Sequence, residues 1–384
     1  MTVRDYWFLS AKTSDKNLKP HNHSESETTS MKKINLTRLS TILMSLIVGP
    51  NLQAGNLATP SGIFQVTVPS GKRVLLATPF VRPEVSRGSV VSSSGKTFTV
   101  SGSTYTADQF KVGGSNLTPY IFEILDGPNI GFVSFITGNG SNTITVEDSI
   151  PAGNPDNSRY LIREDYTVST LLGPANAPFG NLASATTSGN ADQVSFFNSN
   201  GRLETFFRFR STATVTTNTS YAWYLSTRNG TNWVSVADRR VPYGQGLVVE
   251  RKAGTAGLIN LSGELRNTRL RREILGFPRF NLVANPNPFA NPLSEFGLDM
   301  APGTASSADS VYLWDTSVGK GGLVQYYRSS ASPSIWKNQA GVTVDPATIT
   351  VPAGSAVVVQ RGQGRTSALS GDSAVKLNPL PIQP

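Results

Sequence analysis

The chain has 384 residues, no Cys, only two His and a formal net charge of +9. The missing Cys excludes disulfides, thiolate nucleophiles and Cys-ligated zinc. Sparse charge, at 15%, with short apolar runs between Gly, Ser, Thr and Asn, predicts an all-β chain long enough for two or three domains.

Residues 1–30 are polar and patternless and read as a start-site extension or a disordered leader. Residues 31–54 read as a signal peptide. Lys32, Lys33 and Arg38 form a basic start, and Leu39–Val48 is an apolar run too short for a hydrocarbon core of ~30 Å. Ala54 is the small residue before a cut that leaves Gly55 as the mature N-terminus. The expected location is periplasm, cell surface or extracellular space. Both histidines, His21 and His23, lie upstream of this cut, so the mature chain would hold neither His nor Cys. No later run is long and apolar enough to cross a membrane.

Residues 60–265 form a first β block. It opens with Val74–Phe80, VLLATPF, whose counterpart further on is Leu282–Phe289, LVANPNPF. Residues 84–166 have no counterpart and alternate well, as in Lys96–Ser101, Tyr120–Leu125 and Asn142–Glu147. They read as a small β-barrel or meander of five or six strands inserted in the first block. Beyond it come strands at Ser195–Asn198, Leu203–Arg210, Tyr221–Leu225 and Trp233–Val236. The stretch Val241–Gly254, VPYGQGLVVERKAG, then returns as Val351–Gly364, VPAGSAVVVQRGQG, with seven of fourteen positions identical and no gap. Each copy reads as a turn, a buried strand and a second turn. Residues 266–279 are Arg-rich and read as a linker or short helix. Residues 280–375 form the second block, in which Ala308-Asp-Ser-Val matches Ala191-Asp-Gln-Val and Trp336 occupies the place of Trp233. Leu369–Asp372 answers Leu261–Glu264, and residues 376–384 are tail. The fold class expected is two homologous β-sandwich or barrel-like blocks with a small β-barrel inserted in the first.

The repeated VP-x-G-x-x-(L/V)-V-V-x-R signature, the LLATPF opening and the Tyr/Trp hairpin before each signature resemble an uncharacterised family of exported bacterial all-β proteins. The resemblance covers nearly all of residues 60–375. It implies fold and export and assigns no site.

The absence of His from the expected mature chain leaves no Ser-His-Asp triad and no His-ligated zinc. An enzyme would need a facing carboxylate pair, for which Glu123, Asp126, Glu147 and Asp148 are candidates, though strand-face and turn roles suit them better. Asp148, Asn154, Asp156 and Asn157 around Gly153 supply oxygen ligands of the calcium kind, but turns demand the same residues. Neither cofactor nor metal is expected. Tyr221, Trp223, Trp233, Tyr326 and Trp336 are candidates for glycan stacking, weighed against a place in the core. Arg266, Arg269, Arg271, Arg272 and Arg279 are candidates for anion binding, weighed against a solvated linker. The function expected is a non-enzymatic structural or interaction protein of the envelope or matrix, with envelope polysaccharide or other surface proteins as partners and no nucleic acid. The alternatives are a carbohydrate-binding protein and, behind it, a carboxylate-dependent glycosidase.

Overall fold

The alternation read in the sequence becomes strands along almost the whole chain. The structure, a computed structural model, describes residues 61–364 apart from short internal stretches, together with residues 375–377. The expected leader and signal segment, residues 1–54, and the echo at Leu369–Asp372 lie outside the described residues.

Strands β1 (Ser61–Val68), β2 (Arg73–Leu76) and β3 (Phe80–Val81) open the first block. The chain then leaves it for β4 (Glu84–Ser94), β5 (Thr97–Ser101), β6 (Tyr120–Ile124), β7 (Val133–Asn139), β8 (Thr143–Val146) and β9 (Arg159–Glu164). These six strands close into a barrel in the order β4-β5-β8-β7-β6-β9, every neighbour antiparallel. Alternate residues point inward. Phe98, Phe122 and Tyr160 stack there, with Ile136, Ile144 and Ile162 around them.

The chain re-enters the first block with β10 (Tyr166–Thr167) and the short helix α1 (Val168–Leu172), whose N-cap Thr167 accepts from the Thr170 amide. Next come β11 (Gln193–Phe197), β12 (Leu203–Arg210), β13 (Tyr221–Asn229), β14 (Asn232–Ser235), β15 (Arg240–Val241), β16 (Leu247–Glu250) and β17 (Gly257–Leu265). The second block holds β18 (Leu270–Arg272), β19 (Phe280–Ala284), β20 (Asn291–Pro292), a 3-10 turn at Leu293–Phe296, β21 (Ser310–Asp315), β22 (Gly322–Arg328), β23 (Trp336–Asn338), β24 (Thr343–Val344), β25 (Thr350–Val351), β26 (Ala356–Gln360) and β27 (Val375–Leu377). Two expectations are corrected here. Residues 266–279 contain strand β18, and the tail contributes Lys376 and Leu377 to β27, because these two strands pair with each other.

Each block carries a six-stranded antiparallel sheet, β2-β16-β11-β12-β13-β14 in the first and β19-β26-β21-β22-β23-β24 in the second. In both, the first strand lies at an edge beside the last, and the intervening strands follow in sequence order. The short ladders repeat too: Val241 of β15 pairs with Tyr166, and Val351 of β25 with Asn291. One sheet face packs Val194, Phe196, Phe206, Trp223 and Val249 in the first block, and Val311, Trp336, Val357 and Val359 in the second.

This register explains the repeated signature residue by residue. Val241 and Val351 are buried in the short ladders. Pro242 and Pro352 open turns whose carbonyls accept from the Gln245 and Ser355 amides. Gly244 and Gly354 take the left-handed φ, +72° and +62°, that the third position of such a turn needs. A Cβ at either glycine would also collide, with Leu270 at Gly244 and with Phe64 at Gly354. The two glycines sit where the blocks meet, and they meet reciprocally. The Ala77 amide donates to Gly354 O at 2.7 Å, and the Ala284 amide donates to Gly244 O at 3.0 Å.

Candidate functional site

The last fixed residue of the signature is the Arg. Arg251 follows β16, and its Nη1 lies 3.2 Å from Asp192 Oδ2; Arg361 follows β26, and its Nη1 lies 3.5 Å from Asp309 Oδ2. All four side chains are buried. Each Asp is the second residue of the matched Ala-Asp-x-Val runs. The Asp192 carboxylate also accepts from the amides of Ala183 (2.7 Å) and Lys252 (2.9 Å). Asp309 repeats this with Ala301 (3.0 Å) and Gly362 (2.6 Å). Such a carboxylate, ion-paired and bound by two amides, has its lone pairs committed to holding the strand end and an incoming loop together.

A second buried network joins the barrel to the rest. Glu123 on β6 accepts from Arg266 Nη2 and Thr268 Oγ1, and its other oxygen is 3.5 Å from Arg163 Nε on β9. Arg163 Nη1 reaches Glu264 Oε2 on β17 at 3.3 Å and the Arg82 carbonyl at 3.1 Å. The Arg266 guanidinium also lies 4.8 Å from the Tyr243 ring centroid. Two cations and two carboxylates therefore balance. Burial works against the charge on Arg266, but Glu123 and Tyr243 outweigh it and hold its pKa above the ordinary value. Burial raises the Tyr243 pKa, with Glu123 adding to it and Arg266 opposing.

A third contact runs from β15. Arg240 Nη2 bonds Glu147 Oε2 at 2.7 Å, and its guanidinium lies 4.2 Å over the Phe135 ring of β7. At the strand junction leading out of the barrel, Asp165 is buried, and burial pushes its pKa up to about 7 against the pull of Arg240 and the Tyr166 amide. Burial also raises neighbouring Tyr166, to about 12.

These placements revise the candidate sites. Arg266 is buried and ion-paired inside the molecule, so it is not part of an anion-binding surface. Arg271 is half-buried and its amide bonds Gly131 O at 2.8 Å. Arg279 is exposed, with its stem against Gly201. Arg269 and the side chain of Arg272 lie outside the described residues.

Among the aromatics, Trp223 is buried and donates Nε1–H to Gly173 O at 3.0 Å. Trp336 is buried as well. Both belong to the core, where desolvated aromatic area contributes most. They are partners in the repeat: Trp223 pairs with Arg208, and Trp336 with Arg328, at the same place in each sheet. Trp336 thus matches Trp223, not Trp233. Tyr326 packs half-buried on the second core, and the side chains of Tyr221 and Trp233 lie outside the described residues.

The four carboxylates weighed for catalysis have internal partners. Glu123 holds Arg266, Asp126 binds the Arg159 amide (2.7 Å) and Nε (2.5 Å), Glu147 holds Arg240, and Asp148 accepts from Ser134 Oγ at 2.7 Å. In the oxygen-rich segment, Asn154 Oδ1 accepts from the Asp156 amide at 3.0 Å and Asn157 takes φ +65°, which is turn chemistry. Among the described residues, no group of three or more His, Cys, Asp or Glu is placed to hold a metal ion, and no helix is long and apolar enough to cross a membrane. No family model, curated protein or solved structure matches this chain.

The Arg–Asp pairs had a sequence signal, since the Arg and the Asp recur together in both blocks. The Glu123 network had none: Glu123 and Arg266 are distant in sequence, and neither lies in a repeated motif.

Proposed function

We propose that this chain is an exported, non-catalytic scaffold of the cell envelope or extracellular matrix. The observation that carries the reading is the commitment of buried charge to internal bonds, twice at equivalent strand ends and once at the barrel junction. Catalytic charge is kept poised toward a substrate, with a shifted pKa in a cleft; the charges here brace one element against another. Export is supported by the basic, apolar and small-residue succession from Lys32 to Ala54. Its partners would be envelope polysaccharide or other surface proteins, met through the outer faces of the sheets and barrel. The glycan-stacking alternative loses Trp223 and Trp336 to the core, and the glycosidase alternative loses its four carboxylates to internal partners.

The test is fractionation of the producing cells with N-terminal sequencing, followed by a polysaccharide turnover assay on the recovered protein. The expected result is protein in the envelope or culture fluid that begins at Gly55 and turns nothing over. Recovery from the cytosol with Met1 intact would refute export, and turnover of any polysaccharide would refute the non-catalytic reading.

A further inference from the structure

The chain enters the barrel through Arg82-Pro83 and returns through Asp165. The two crossings are tied side by side. Arg82 Nη2 bonds Glu164 Oε2 at 2.5 Å, and Arg163 Nη1 bonds the Arg82 carbonyl at 3.1 Å. Around them four guanidiniums meet four carboxylates. Arg82 pairs with Glu164 and Arg240 with Glu147, while Arg163 and Arg266 share Glu123 and Glu264. Asp165 is a fifth carboxylate, 3% exposed, and among the described residues no cation pairs with it. Its Oδ1 accepts from the Tyr166 amide at 2.8 Å, and its own amide donates to Pro119 O, next to β6, at 2.8 Å. One cation can reach it. In the β10–β15 ladder Arg240 stands opposite Thr167. Asp165 precedes Thr167 by two residues, so strand alternation carries it to the same face, diagonal to Arg240 and within reach of that long side chain. Burial raises the Asp165 pKa, and Arg240 opposes the rise. The other titratable neighbour is Tyr166, itself faced by Tyr243 and Arg82; Tyr243 is faced by Arg266, Glu123 and Arg163.

We infer that Arg240 is a pH-operated tether with two alternative partners: it holds Glu147 of the barrel while Asp165 is protonated, and turns to Asp165 when that carboxyl ionises. The two partners are unequal. Glu147 has 43% of its side chain exposed, so its pair with Arg240 is partly solvated and gains little, and the carboxylate returns to water readily. An ionised Asp165 without a cation would be a bare buried charge, a far costlier state. Asp165 therefore takes Arg240 once its proton is lost. The guanidinium is then drawn off Glu147 and off the Phe135 ring, over which it lies at 4.2 Å. That frees one flank of the barrel, β7 and the end of β8, from β15. The Glu123 network on β6 and β9 keeps the barrel attached. The exchange is independent of the scaffold reading, which concerns what the chain does outside the cell.

The test is amide hydrogen exchange of the purified full chain at pH 5 and pH 8, read by mass spectrometry and corrected for intrinsic rates. Exchange is scored in β7, β8 and β15 relative to β19 and β26 of the second block, which a global loss of stability would move equally. In the wild type that relative exchange should rise at least about fivefold from pH 5 to pH 8, as a local opening. Asp165→Asn should stay at the slow level at pH 8. Glu147→Gln should already show the fast level at pH 5 and rise no further. A wild type without the relative rise overturns the inference, and so does an Asp165→Asn chain that keeps it. A Glu147→Gln chain that follows the wild-type profile also overturns it, because the tether would then not end on Glu147. If circular dichroism shows Asp165→Asn misfolded, Glu147→Gln, at an exposed position, carries the test. None of these results touches the turnover or export tests of the scaffold reading.

Discussion

Arg251 and Asp192 meet 3.2 Å apart, with both side chains closed off from solvent. Removing one partner of a buried pair strands the other charge, which costs ~3–5 kcal/mol. Asp192→Ala should therefore lower unfolding stability in urea by that amount, and also release the Ala183 and Lys252 amides. The double variant Asp192→Ala, Arg251→Met should be more stable than Asp192→Ala alone, since no charge is then left unpaired. Asp309→Ala should behave as Asp192→Ala does, as the same bonds recur there.

Arg266 distinguishes a brace from an anion site. If it braces the barrel, Arg266→Met should destabilise by up to ~3–5 kcal/mol, because Glu123 is then left buried with only the Thr268 hydroxyl and the longer 3.5 Å contact to Arg163. Limited proteolysis should then cut sooner at the barrel's connections. Arg279→Ser, at an exposed position, should change stability by less than about 0.5 kcal/mol. Equal effects from the two changes would remove the brace from Arg266.

The inserted barrel was legible because period-2 alternation over residues 84–166 marks one strand after another, and turn residues separate them. The two-sheet plan was legible because Val241–Gly254 and Val351–Gly364 carry the same turn, strand and strand-end Arg. The basic segment misled because RNTRLRRE looks solvated in isolation. Its burial depends on Glu123, which folding brings across from the barrel. The Trp assignment failed because β13 runs nine residues and β23 only three. The hairpins cannot be aligned by eye, and only the pairing with Arg208 and Arg328 fixes the register.

Trp223 and Trp336 make a third case. As core residues they should cost ~3–5 kcal/mol each when cut to Ala. As glycan platforms they would cost affinity and little stability. Chemical denaturation of the two variants separates these outcomes, and a stable Trp336→Ala protein would return that residue to the surface.

Asp165 gives the protein a pH signature. Its pKa is about 7 in the fold against an ordinary 3.8, because burial disfavours the carboxylate more than Arg240 and the Tyr166 amide support it. Between these values the folded chain holds a proton that the unfolded chain has released, so stability falls as pH rises through the window. The penalty is absent below about pH 4 and complete above about pH 7, on the order of 4 kcal/mol by linkage. The groups that share this junction are Arg240, paired with Glu147, and Tyr166, with Arg82 and Glu164 paired nearby. Asp165→Asn keeps an oxygen for the Tyr166 amide and removes the charge. Its melting temperature should change less than the wild type's between pH 5 and pH 8, and should match or exceed the wild type's at pH 8. Parallel pH profiles for the two proteins would mean that Asp165 is already ionised in the fold, and would move the pH dependence elsewhere.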